Sequence, residues 1–376
     1  MPPLLYLLAA CNLVIGTGAF SLAGILQPVA RSLQVSVGAA GQSMTAYAVA
    51  CAVLAPMVLM GTGRWQRKAA LQLALVLFAG GMLLCAWAPD LPTLLLGRIM
   101  MGTGAVFTPI AASIAVAIVE PALRGKALSV TFLGMSLSYV IGLPLGAWLG
   151  LRYGWRVPTL AIAACTLLML VLVSQRMPRR VDAPGATLRG LGEVLRHGEV
   201  VRSLGLTLMY FSAVFTVFSY SGPVFQALNP MSPERLSLTL MLIGVAGVAG
   251  TLSGGWANDR FGPMRTLRWQ LAVLSLMMLL APLTGGSYGA MMTVFMVWAT
   301  AGFGMMAPTQ ARLARVSLRQ APVLFSLNTS MLYIGTALGA AIGGAAGLVL
   351  GFDHLPWVGL GFALLGGLTF WRGAQR

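Results

Sequence analysis

The chain has 376 residues, of which 58% are hydrophobic and only 9% charged, and its mean hydropathy is +0.86. So little polar surface cannot cover a water-soluble fold of this length, whereas runs of about 20 apolar residues span a bilayer as helices. The net charge of +16 lies in the joints between apolar runs and forms no continuous basic face, which excludes nucleic acid as a partner and makes the lipid bilayer the expected one.

Twelve spans are predicted in chain order: 4–26, 42–62, 70–88, 93–118, 127–150, 158–175, 202–226, 236–257, 267–284, 288–307, 322–348 and 355–371. All are read as helices, because a span isolated in lipid must satisfy its own backbone and no period-two barrel pattern is present. The N-terminus lacks a basic lead and a small-residue cleavage site, so the first run is read as a retained helix. Cys11, Cys51, Cys85 and Cys165 sit inside apolar runs and His197 and His354 at span ends or joints. They are read as packing and boundary residues, with no metal and no cofactor.

Nineteen of the 24 lysines and arginines fall in alternate joints and at the C-terminus, among them Arg64, Arg67, Lys68, Arg124, Lys126, Arg260, Arg265, Arg312 and Arg315. Arg31, Arg152, Arg156 and Arg235 occupy the opposite joints. The positive-inside rule then places both termini in the cytoplasm. One joint is long and basic, residues 176–201, with a surface helix expected around Leu188–Leu195. It is read as a cytoplasmic linker between an N-terminal six-helix bundle, 1–175, and a C-terminal one, 202–376.

The two halves look duplicated. Ile141-Gly142-Leu143-Pro144-Leu145-Gly146-Ala147 aligns with Ile334-Gly335-Thr336-Ala337-Leu338-Gly339-Ala340 at an offset of 193. Arg64 aligns with Arg260 at 196, and Gly102-x-Gly104 with Gly302-x-Gly304 at 200. Three matches in equivalent spans at nearly one offset indicate an internal repeat, the plan of a large transporter fold.

Between spans 8 and 9 stands Gly255-Trp256-Ala257-Asn258-Asp259-Arg260-Phe261-Gly262. Gly255 is expected to let two helices approach, Asp259 to accept from a helix end and pair with an arginine, and Gly262 to permit a tight turn. The run resembles the loop signature of the major facilitator superfamily. The first-half equivalent keeps Arg64 and Arg67 but has Gly63 in place of the acid. Arg98 within Leu94–Gly104 looks like the superfamily's span-four arginine. A membrane arginine is costly unless paired or facing water, so it is a candidate for substrate or coupling work, with snorkelling to the surface as the rival reading. Gly142-Leu143-Pro144-Leu145-Gly146 resembles the exporter motif of span five, where small residues pack closely and the proline bends the helix. Gly41, Ala46, Tyr47, Ala48, Ala55 and Pro56, with Leu327–Ser330, are similar to the sugar-efflux (arabinose-efflux-permease-like) and drug:proton antiporter branch.

That resemblance implies an all-α integral membrane protein of two pseudo-symmetric six-helix bundles that alternates access. It also implies a substrate site near the midplane lined by spans 1, 4, 7 and 10. The lining candidates are Asn12, Thr17, Gln42, Tyr47, Arg98, Thr108, Tyr139, Tyr210, Tyr220, Trp298, Asn328 and Tyr333. The gating candidates are Gly255, Asp259, Arg260, Gly262, Arg64, Arg67, Gly142, Pro144 and Gly146. One departure is marked. Where the branch has Gly-Thr-x-Glu-Phe, this chain reads Gly16-Thr17-Gly18-Ala19-Phe20. All eight acids fall in joints or at span ends, so only Arg98, Glu120 and Asp259 are left as coupling candidates. The expected function is export of a small organic solute, in exchange for protons if the branch analogy holds. The alternatives are a carrier without proton coupling and a transporter of lipid or amphiphile. No nucleophile–base set or carboxylate pair suggests an enzyme. The protein is expected to act as a monomer in a bacterial inner membrane.

Overall fold

The computed structural model describes residues 2–120, 123–178, 181, 197–316 and 321–371. Most of the expected linker, with Asp182 and Glu193, lies outside the described residues. Eleven helical stretches are long and apolar enough to cross a bilayer, from Pro3–Gly24 to Leu324–Leu350. Leu355–Trp371, with 17 residues, completes the twelve-span fold. Boundaries follow local chemistry. Span 2 begins at Val37, five residues before the expected start, because the Ser36 hydroxyl accepts from the Ala39 N–H at 3.1 Å. Asp90 and Ser232 cap spans 4 and 8 in the same way.

The chain divides into two compact units, Met1–Thr187 and Leu188–Arg376. In the first, span 1 packs on spans 5 and 6, spans 2 and 3 on span 4, and span 3 on span 6. In the second, span 7 packs on 11 and 12, spans 8 and 9 on 10, and span 9 on 12. Each contact in one unit has its counterpart in the other, so the repeat seen in sequence is a repeat of packing.

The repeat extends to the backbone. Span 1 is a helix Pro3–Phe20, a tight turn Ser21–Gly24 and a short helix Leu26–Leu33. Span 7 breaks likewise between Gly198–Phe218 and Ser221–Leu228. Span 4 breaks between Leu91–Gly104 and Phe107–Ala117, and span 10 between Tyr288–Phe303 and Met306–Val316. Spans 5 and 11 differ. Span 5 carries a wide π turn, Ser138–Gly142, whereas span 11 runs unbroken over Ala321–Leu350. The aligned segments explain the difference. Pro144 has no N–H to donate one turn back, and the helix re-registers ahead of it, while Ala337 in the same place continues the ladder.

Glycines of span 5 form the expected flat face. A Cβ at Gly134 would overlap the carbonyl oxygen of Ala9, and one at Gly142 the Thr17 hydroxyl. Gly146 follows against Ser21, and Gly150 against Ile25. The stripe lets span 5 lie directly on span 1. Exposed tryptophans at span ends, Trp65, Trp87, Trp256 and Trp269, suit the two water–lipid interfaces.

Candidate functional site

The largest fully buried side chain among the described residues is Arg98, 1% exposed, which rules out snorkelling. It reaches across span 4 to the break in span 1. There Nη1 donates to the Gly18 carbonyl at 2.9 Å and Nη2 to that of Ala19 at 2.6 Å. Nε donates to the Ser43 carbonyl in span 2 at 3.1 Å. The remaining contacts are to thioether sulfurs, Met44 Sδ at 3.3 Å and Met101 Sδ at 3.9 Å. The guanidinium also lies 4.8 Å from the centre of the Tyr47 ring, a cation–π contact. A helix end leaves carbonyls without intrahelical donors, and Arg98 supplies them from a neighbouring span. The position where a carboxylate was expected is Ala19, whose backbone oxygen takes Nη2.

A second polar joint ties span 1 to spans 4 and 5. Asn12 donates to the Thr131 carbonyl at 2.9 Å and accepts from the Thr108 hydroxyl at 2.9 Å. Its counterpart in the other unit joins spans 7 and 11, where Thr207 donates to Asn328 Oδ1 at 2.6 Å. Thr131 and Thr207 were not singled out from sequence, although laying one half over the other sets Thr207 opposite Asn12.

The lining candidates therefore fall into two groups. Asn12, Tyr47, Tyr210, Tyr220, Trp298 and Asn328 are buried. The Tyr210 hydroxyl donates to the Ala301 carbonyl and that of Tyr220 to Ala340 at 2.8 Å. Thr17, Gln42, Thr108, Tyr139 and Tyr333 are half-buried. Thr17 donates to the Leu13 carbonyl one turn back, and Tyr139 stacks on Phe20 at 5.1 Å. Trp298 packs on Phe295 at 5.8 Å, and its indole N–H has no partner among the described residues. At the offset that aligns Gly102 with Gly302, Trp298 occupies the place of Arg98.

In the loop after span 8, Gly262 adopts φ +78°, the left-handed region that favours glycine, and its N–H closes onto the Asn258 carbonyl at 2.8 Å. The close approach expected at Gly255 belongs to its neighbour. Nothing lies within 4 Å of a Cβ at Gly255, whereas one at Gly254 would strike the Gly304 backbone. The two glycines are one residue, about 100° of helix rotation, apart. Asp259 is exposed and accepts from Asn258 Nδ2 at 3.1 Å, with no ion pair among the described residues. Arg260 lies 5.8 Å from the Trp256 and Phe261 rings.

In the first-half loop Arg64 is exposed, and Arg67 turns back to donate to the Gly63 carbonyl at 2.9 Å. Lys68, not foreseen, donates to the Ser174 and Met177 carbonyls at 2.6 and 2.8 Å, placing a cation at the C-terminal end of span 6. A Glu199–Arg312 pair at 3.7 Å links the start of span 7 to the end of span 10. Glu120 is exposed beyond the end of span 4. Asp90 accepts from the Thr93 N–H at 2.9 Å, and hydrogen bonds from Thr93 hold its carboxyl below the ordinary value. Among the described residues no carboxylate stands in a span interior.

Paired units, equivalent breaks in spans 1, 4, 7 and 10, and an acidic loop signature mark one fold family, and the comparisons agree. The profile of the Major Facilitator Superfamily matches residues 8–340. This chain belongs to the Major Facilitator Superfamily. It is similar to the inner membrane transport protein YdhP of Escherichia coli K12, 33% identical over 359 residues, covering 94% of this chain and 91% of that one. A probable sugar efflux transporter of Mannheimia succiniciproducens is 26% identical over 363 residues, covering 96% and 90%. Among solved structures, a bacterial homolog of the human lysosomal transporter Spinster, inward-facing and occupied, superposes with a TM-score of 0.84 at 17% identity, over 99% of this chain and 96% of that one. The superfamily consists of transporters, not enzymes, and the chain is a multi-pass membrane transporter.

Proposed function

We propose that this superfamily member sits in a bacterial inner membrane with both termini in the cytoplasm and exports a small organic solute, neutral or anionic, by alternating access. We further infer that the transport step does not depend on a carboxylate that titrates within the spans. The observation that carries this is the content of the span interiors. Among the described residues they hold Arg98, neutral amides, hydroxyls and rings, and no acid, while the other buried arginines, Arg67 and Arg312, stand at span ends. A carboxylate that exchanges its proton between two environments is the usual carrier of proton coupling, and Glu120 and Asp259 stand at exposed span ends instead. The names of similar proteins, an inner membrane transport protein and a probable sugar efflux transporter, support the location and the solute class. The distribution of Lys and Arg supports the orientation.

The test is counterflow and net efflux of radiolabelled sugars and small organic acids in proteoliposomes, with and without an imposed pH gradient. The expected result is solute movement down its own gradient at a rate the pH gradient leaves unchanged. Uphill movement driven by the pH gradient and abolished by Asp259→Asn or Glu120→Gln would overturn the reading.

A further inference from the structure

Two arginines act on span 1. Arg98 fixes the break itself, and Arg156, at the start of span 6, acts on what lies beyond it. The short helix Leu26–Leu33 stands between two turns, Ser21–Gly24 before it and Gln34 after it, the latter in the left-handed region at φ +53°. Its apolar face of Leu26, Val29, Ala30 and Leu33 is buried, and it packs on span 2. A helix of two turns has little stability of its own, so its position depends on what holds its two ends.

The far end is held by one side chain. Arg156 Nη1 donates to the Ser32 hydroxyl at 2.9 Å, and Nη2 donates at 2.8 Å to the Ala88 carbonyl, just past the end of span 3. The guanidinium lies 4.5 Å from the centre of the Trp155 ring, which orients its plane. One planar fork thus ties spans 1, 3 and 6 together. Its two arms differ. Ala88 is fully buried, whereas Ser32 is exposed. A hydrogen bond at an exposed hydroxyl competes with water, so that arm can let go while the other stays.

The second unit makes the corresponding tie through backbone. The Leu228 carbonyl, at the end of the short helix of span 7, accepts from the Gly286 N–H beyond span 9 at 3.2 Å. Trp357, at the start of span 12, donates to the Leu279 carbonyl of span 9 at 3.1 Å. Both units therefore join the far half of their first helix to the end of their third, and only the first does so through a releasable hydroxyl. Beneath the turn of span 1, Cys85 and Arg98 share a small cavity with Ser21 and Leu22.

We propose that Leu26–Leu33 is a lid over Arg98 on the membrane face away from the two termini, hinged at Ser21–Gly24, and that Arg156 is the positioning residue that latches it through Ser32. Arginine keeps its proton and Ser32 carries no charge, so pH does not set the latch. The device lies wholly within the first unit and is independent of the solute and of the direction of transport.

The test is hydrogen exchange on the purified full-length protein in nanodiscs, read by mass spectrometry. In Ser32→Ala the amides of residues 29–33 should exchange about fivefold faster or more, with Tm unchanged and the short helix of span 7 unaffected. Ser32→Thr keeps the hydroxyl and should restore wild-type exchange. Arg156→Lys should behave as Ser32→Ala does, because one compact head cannot serve both acceptors, and adding Ser32→Ala to it should change nothing further. Lid opening is read independently from Cys85, in a protein carrying Cys11→Ala, Cys51→Ala and Cys165→Ser. A membrane-impermeant maleimide should label Cys85 about threefold faster or more once Ser32→Ala is added. Exchange over residues 29–33 that stays within about twofold of wild type in both Ser32→Ala and Arg156→Lys would overturn the proposal. So would faster exchange spread over the whole first unit with a matching fall in Tm, or labelling of Cys85 that Ser32→Ala leaves unchanged. If Arg156→Lys does not fold, the contrast between Ser32→Ala and Ser32→Thr decides.

Discussion

Replacing Arg98 by methionine keeps much of the side-chain volume and removes the charge and every donor. Two readings of this residue predict opposite signs. If the guanidinium were simply a charge stranded in the membrane, its removal would stabilise the fold, by up to about 3 kcal/mol on insertion scales. The geometry argues the reverse. Three carbonyls, of Gly18, Ala19 and Ser43, would lose the guanidinium as a donor at once. Polar contacts in membrane proteins average only about 0.6 kcal/mol each, which puts a floor near 2 kcal/mol. Hydrogen bonds from charged groups, worth about 1.5 kcal/mol or more each, bring the expected loss to about 2–5 kcal/mol. Arg98→Lys keeps the charge but has one compact donor head in place of a planar fork, so it should recover only part of the loss. The assay is reversible unfolding in mixed micelles, read by tryptophan fluorescence. Wild type should be most stable, Arg98→Lys intermediate and Arg98→Met least. An Arg98→Met protein as stable as wild type, or more so, would refute the role assigned to this side chain.

Pro144→Ala should restore the ladder across the π turn of span 5, protecting the amide of residue 144 in hydrogen exchange, raising stability by about 1 kcal/mol and slowing transport. Lys68→Met removes the cation from the end of span 6 and should cost about 1 kcal/mol at low ionic strength, an effect that shrinks with added salt. Asp90 titrates lower in the fold than in the unfolded chain. Its contribution is therefore present above the unfolded value and is lost as pH falls through the folded one. Asp90→Ala should lower Tm at neutral pH, and the gap from wild type should close in acid.

Much of this architecture is legible in the amino-acid order, for identifiable reasons. Span positions follow from hydropathy, and most ends agree to within a few residues. Span 2 starts early because the run Gly38–Ser43 reads as weakly hydrophobic while Ser36 caps the helix in front of it. The Gly134–Gly150 stripe was visible because small residues recur where span 5 meets span 1. The breaks in spans 1, 4, 7 and 10 do not stand out, because their mark is a proline at the third position of the helix that follows, Pro28, Pro109, Pro223 and Pro308, among 20 prolines in the chain. The partners of Arg98 could not be read either, since Gly18, Ala19 and Ser43 contribute backbone oxygens that any residue would supply. Gly254 and Gly255 are indistinguishable as a pair. Only the packed helix shows which one meets span 10.

The places where the two repeats disagree are the informative ones. Both units break their first and fourth helices, yet only the first fixes the break with a buried guanidinium. The second has Trp298 there, with a single N–H and no partner among the described residues. Only the first interrupts its fifth helix, through Pro144, and only the second keeps the acidic loop signature around Asp259. A duplicated fold needs no such differences to be stable, since the contact plan of the two units is the same. The differences therefore belong to what each unit does. The first has its unwound segment pinned by charge and its freedom placed in span 5. The second ties its unwound segment to span 11, which runs unbroken, through the neutral Tyr220 hydroxyl on the Ala340 carbonyl. Exchanging the two residues, as Arg98→Trp with Trp298→Arg, should thus fail to restore what either single change removes, because the carbonyls that suit an arginine face only one of the two positions.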